Sequence, residues 1–130
     1  MILVVVEDLV FLSKIQQTAQ MLGIPVEAVA PTEAHERACA PSVSAVIVDL
    51  NPRSGSAIDL VKALKADARI AGTPVIGFLS HVQGDLAAAA RTAGCDRVLA
   101  RSAMAKQLPE LLKAVAHKDP TATPRAPEAC

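Results

Sequence analysis

The chain is 130 residues long, 52% hydrophobic and 20% charged, with 13 basic side chains balanced by 13 acidic ones. That composition fits one folded domain with a real core and excludes a disordered chain, while zero net charge removes any overall pull toward nucleic acid or anionic lipid. With two Phe and neither Tyr nor Trp, the core has to be aliphatic and there are no platforms on which bases could stack.

Residues 2–6 (ILVVV) form a short β-branched run. It is too brief for the apolar part of a signal peptide, and Glu7 and Asp8 follow it at once. Over 9–22, Leu12, Ile15, Ala19 and Leu22 step by three and four, which predicts a helix closed by Gly23 with Pro25 just beyond. Residues 25–29 read as a weaker strand, and 32–39 as a short helix starting at Thr32 beside a glutamate. The run 43–48 (VSAVIV) has the uninterrupted apolar character of a strand buried on both faces. Ile58, Val61 and Leu64 make a helical stripe in 56–66, with Lys62 and Lys65 off it. A third strong strand falls at 74–79 (PVIGFL), an alanine-rich helix at 85–93 ends before Gly94, and 96–100 reads as a weak strand. Leu108, Leu111, Leu112 and Val115 share one face of a last helix over 104–116.

Five alternations of strand and helix predict a parallel sheet covered on both sides, and right-handed crossovers make it doubly wound. Residues 1–117 are read as this domain. Residues 118–130, rich in proline and small polar residues, are read as a flexible tail or the start of a linker. No stretch approaches the roughly 18 apolar residues of a membrane span, so a soluble cytoplasmic protein with no membrane or direct nucleic-acid partner is expected. Cys39, Cys95 and Cys130 lack the close spacing of metal or redox motifs and are read as free thiols. His35, His81 and His117, like Ser13, Ser44 and Ser54, fall in no catalytic or ligating pattern and are read as surface residues. No phosphate-cradling glycine motif follows the first strand, which disfavours a small cofactor-binding enzyme of the same architecture.

In open α/β sheets the functional crevice lies beyond the carboxyl ends of the strands. There the first strand carries Glu7 and Asp8, the third Asp49, the fourth Leu79 and Ser80, and the fifth Arg101 and Ser102. Carboxylates gathered at one rim repel one another, and a divalent cation relieves that repulsion; Mg²⁺ takes oxygen ligands of this kind. An inward ion pair from Arg101 to Asp49 is a second way to neutralise the cluster.

From residue 1 to about 117 the chain resembles the receiver domain of two-component response regulators. The resemblance rests on VVVED (4–8), AVIVDLNP (45–52), TPVIGFLS (73–80), AAAARTAGCDRVLARS (87–102) and the closing amphipathic helix. It implies a flavodoxin-like sheet of strand order 2-1-3-4-5 with five helices. It also implies that Asp49 accepts a phosphoryl group from a histidine kinase or phosphotransfer protein. Mg²⁺ would be held by Glu7, Asp8, Asp49 and the backbone carbonyl of Asn51, and the signal would leave through the face of the fourth helix, fifth strand and fifth helix. Any catalysis would be self-catalysed transfer to Asp49, and a homodimer is left open.

The chain departs from the family at the switching residues. Arg101 stands where the family has lysine, and Ser102 where proline usually follows. Arginine keeps the charge but presents a planar fork. The hydroxyl position falls on Leu79 by ungapped counting, or on Ser80 after a slip of one residue. Pro52 lies three residues after Asp49 instead of four, Ala57 holds the usual glycine position eight on, with Gly55 two places early, and Val98 replaces an aromatic. These departures keep a second reading in play, a phosphorylation-independent pseudo-receiver that acts as a protein–protein interaction module.

Overall fold

The computed structural model describes residues 1–50, 57–79 and 84–116. Strand and helix alternate throughout: β1 (Ile2–Val5), α1 (Leu9–Leu22), β2 (Val26–Ala28), α2 (Pro31–Ala38), β3 (Ala45–Asp49), α3 (Ala57–Ala66), β4 (Val75–Leu79), α4 (Gly84–Ala93), β5 (Arg97–Ala100) and α5 (Arg101–Val115). The expected elements are all present, with ends shifted by a few residues. The largest shift is in α5, which starts at Arg101 directly after β5, without an intervening loop. Its first turn, Arg101 to Ala103, has no large apolar side chain, so the buried stripe of Met104, Leu108, Leu111 and Leu112 is the only part that periodicity reveals. Pro109 sits inside this helix and leaves the Ala105 carbonyl without its helical donor. α2 starts not at Thr32 but at Pro31, whose fixed φ and missing N–H suit a first helical turn.

All strand pairs are parallel and the order is β2-β1-β3-β4-β5. The central strands β1, β3 and β4 are buried along their whole length, as their unbroken apolar runs require. Alternation along each strand divides the core into two. Leu3, Val46, Val48, Val75 and Leu79 face α2, α3 and α4, whereas Ile2, Val4, Ile47, Ile76 and Phe78 face α1 and α5. The chain leaves β1 toward β2 on one side and reaches β3 on the other, so the order reverses between β1 and β3, and a crevice opens at their carboxyl ends.

Two glycines are fixed by geometry. Gly23 caps α1 at φ 70°, returning its N–H to the Ala19 and Gln20 carbonyls, a conformation costly for any residue with a Cβ. Gly77, in the middle of β4, lets Leu50 and Cys95 close over the strand. A Cβ there would lie 2.6 Å from Leu50 Cδ1 and 3.0 Å from Cys95 Sγ.

Candidate functional site

Asp49 is the last residue of β3 and is only 4% exposed. It lies opposite Phe78 in the ladder, and pairing continues one step beyond, with Leu50 N donating to the Phe78 carbonyl at 2.9 Å. The backbone that carries the carboxylate is thus held in the centre of the sheet. Glu7 follows β1 on the neighbouring strand, and the two acids line one small pocket with Pro31, Ala57 and Leu60.

Asp8 is held differently. It caps α1, with Oδ1 accepting from Val10 N at 3.0 Å and Phe11 N at 3.2 Å. Its other oxygen, Oδ2, lies 3.3 Å from Arg101 Nη1. Of the two readings of Arg101, a solvated cation or an inward pair with Asp49, neither is what the structure has: the guanidinium pairs with Asp8. The reason is placement: α5 begins at Arg101 itself, and the guanidinium lies 5.7 Å from the centre of the Phe11 ring, one turn into the helix that Asp8 caps. Phe11 in turn packs on Phe78 with ring centroids 4.8 Å apart. The side chains of Asp8, Arg101, Phe11 and Phe78 thus form one connected stack, ending at the ladder partner of Asp49. Arg101 Nε is buried and finds no acceptor among the described residues.

Leu79 is buried in the core that faces α3 and α4, and it can supply no hydroxyl. Ser80, the other candidate for that position, lies outside the described residues, as do Asn51, Pro52, Ser54, Gly55, His81, His117, Cys130 and the whole of 118–130. Val98 is half-buried against the α2–α4 side of the core.

A second polar cluster, at the opposite end of the sheet, was not expected. His35, in α2, meets Asp67 after α3 at 3.0 Å, and Asp67 also takes Arg69 through its backbone N, Nε and Nη2 at 2.9, 3.1 and 2.9 Å. The Arg69 side chain, with help from its backbone N–H and from His35, holds the Asp67 carboxyl well below the usual carboxylate range. Cys39 lies one turn from His35, and its sulfur, a His35 ring nitrogen and an Asp67 oxygen fall within 4.8 Å of one another. That spacing would suit a metal, but Asp67 is already bonded to a cation and Cys39 is disulfide-bonded, which corrects the reading of all three cysteines as free thiols. Cys95 is free and buried; burial raises its thiol pKa. Ser44, read as a surface residue, is buried and donates to the Met1 carbonyl at 3.2 Å. The one signal in the sequence for the His35 cluster is the i, i+4 spacing of His35 and Cys39. Nothing local announces Asp67, 32 residues later.

No family model matches the sequence, and no curated protein is similar to it. Solved structures give the comparison that sequence does not. The chemotaxis response regulator CheY4 of Vibrio cholerae superposes with a TM-score of 0.75 at 21% identity, over 88% of this chain and 96% of that one. The receiver domain of sensor histidine kinase PA1611 from Pseudomonas aeruginosa PAO1, with a magnesium ion in its active site cleft, gives 0.75 at 22% identity over 88% and 95%. The Mn²⁺-bound form of response regulator Rcp1 gives 0.72 at 15% identity over 96% and 98%. The fold of this chain is that of response regulator receiver domains. No described helix is long and apolar enough to cross a membrane.

Proposed function

We propose that this chain is a receiver domain of a two-component phosphorelay, taking a phosphoryl group onto Asp49 from the phosphohistidine of a kinase or phosphotransfer protein. The observation that carries the reading is the convergence of Glu7 and Asp49 on one pocket, with Asp8 and Arg101 at the same rim of the sheet. In the transfer, an Asp49 oxygen forms a bond to phosphorus as the phosphorus–nitrogen bond breaks, and the departing imidazole takes up a proton. Asp49 suits the role because it ends the central strand at the rim where the pocket lies, and its burial limits competing water.

The donor set fits a hard, oxygen-seeking divalent ion. Glu7, Asp8 and Asp49 would hold Mg²⁺, with the backbone carbonyl of Asn51 as a further ligand, and the ion would neutralise charge on the transferring oxygens. Arg101 supplies a fixed positive charge at the same rim. Output through α4, β5 and α5 is supported by the partial exposure of Val98 and Leu99 on the edge strand. A cytoplasmic setting accords with this reading.

Buried Leu79, and an arginine already engaged by Asp8, favour a second reading, in which the fold serves for docking and phosphorylation is lost. One experiment decides. The protein is incubated with acetyl phosphate and Mg²⁺ and weighed intact beside Asp49→Asn. Gain of one phosphoryl group by the native chain alone is the expected result; no gain at saturating metal means a phosphorylation-independent interaction module.

A further inference from the structure

The structure assigns Arg101 a role as a built-in competitor for the divalent ion: its guanidinium holds Asp8 Oδ2, the one oxygen of that carboxylate that the helix cap leaves open, so that a metal ion and Arg101 exclude each other there. The inference rests on the reading of Glu7, Asp8 and Asp49 as metal-holding carboxylates, and deepens it.

Asp8 has two tasks and two oxygens. Oδ1 accepts from Val10 N and Phe11 N at 3.0 and 3.2 Å, and these bonds keep α1 capped. A metal ligand from Asp8 must therefore come from Oδ2, which is where Arg101 Nη1 sits, 3.3 Å away. Two cations cannot share that oxygen without direct repulsion, and the charge of a divalent ion doubles it. The arginine is not there by chance of a mobile surface side chain. α5 begins at Arg101, and its guanidinium is seated against Phe11, which is itself packed on Phe78.

The hold is also weak enough to be released. The Arg101 and Asp8 side chains are 35% and 32% exposed, so water and salt screen the pair. Arg101 Nε is buried without an acceptor among the described residues, so the guanidinium is not fully satisfied where it rests. Metal entry then frees the guanidinium from Asp8, and metal loss returns it there. By linkage, whatever draws Arg101 away from Asp8 tightens metal binding by the same factor.

The test measures Mg²⁺ affinity by titration calorimetry for the native chain, Arg101→Ala, Arg101→Gln, Asp8→Asn and the double variant Asp8→Asn/Arg101→Gln, with circular dichroism to show that each is folded. Arg101→Gln keeps a polar side chain near Phe11 without the charge and is read alone if Arg101→Ala does not fold. Removing the charge is expected to tighten binding about three- to tenfold, the scale of a screened ion pair. The gain should vanish in the Asp8→Asn background. In the native chain, Mg²⁺ should also shift the Nε–H resonance of Arg101. Equal or weaker binding by the Arg101 variants overturns the inference and leaves the phosphoacceptor reading standing. A gain that persists without the Asp8 carboxylate overturns it too, since the charge would then act elsewhere. Absence of binding by every chain, native and variant, overturns the inference together with the metal reading, and the acetyl phosphate experiment then reports separately on Asp49.

Discussion

The two ends of the sheet place their charged side chains in different settings. At the end where the strands begin, charges are matched by neighbours that the chain holds in place. Lys65 Nζ reaches the Ala71 and Thr73 carbonyls at 3.3 and 2.9 Å and Asp96 at 2.7 Å, and Asp67 is gripped by Arg69 and His35. At the end where the strands finish, Glu7 and Asp49 line one pocket, and Asp8 caps α1 while pairing with Arg101. Balanced charge is what a structural cluster needs, because it satisfies each group locally and fastens α3 and the following loop to the start of β5. The contrast separates a cluster that fastens elements together from a rim at which two acids line a pocket.

The strongest way to break the contrast is to disturb the strand that joins the two ends. Gly77→Ala puts a Cβ 2.6 Å from Leu50, the buried residue next to Asp49, and its overpacking is expected to cost about 1–3 kcal/mol. Urea unfolding followed by circular dichroism measures this, since the chain has no Trp or Tyr to report by fluorescence. If the midpoint does not fall, Leu50 repacks freely and the close packing ascribed to Asp49's surroundings is wrong.

Asp8 sharpens the contrast, because it belongs to both the fold and the site. Asp8→Ala removes the cap of α1 and should cost about 0.5–2 kcal/mol, whereas Asp8→Asn retains a capping oxygen and should stay near native stability while losing the charge. Equal loss in both variants would show that the pair with Arg101, rather than the cap, carries Asp8's share of stability.

The smallest effect belongs to the opposite end and depends on pH. Because the folded protein holds the Asp67 carboxyl below its ordinary range, chiefly through Arg69, the stabilisation is complete above the unfolded value, about 4, and is lost as pH falls through the folded one. The advantage of the native chain over Asp67→Asn in denaturant midpoint should be steady above about pH 5 and shrink steadily below about pH 4. Phosphoryl uptake should be the same in both. A gap that widens on acidification would mean that the carboxyl is not held in its charged form.

What could be read from the residues alone follows from how far each signal reaches along the chain. VVV in β1 and AVIV in β3 identify buried parallel strands because both faces of such a strand meet helices, so no polar residue interrupts the run. The stripe of Ile15 and Ala19 with the cap at Gly23 marks α1 equally well. The start of α5 was hidden because its first turn offers no apolar period. Glu7, Asp8 and Asp49 were visible as candidates since parallel topology sends every strand's carboxyl end to one rim. The partner of Arg101 was not.

Sequence by itself determined the alternation of elements, the parallel sheet and the rim at which the acids gather, because those depend on burial patterns repeated over a few residues. Tertiary structure decided that Arg101 answers Asp8 and not Asp49, that Asp67 collects both Arg69 and His35, that Cys39 is bonded rather than free, and that Leu50 leaves no room for a side chain at Gly77. Most of these are contacts between residues far apart in the chain. Their energies turn on distances of a few tenths of an ångström set by packing, which no local pattern of residue types encodes.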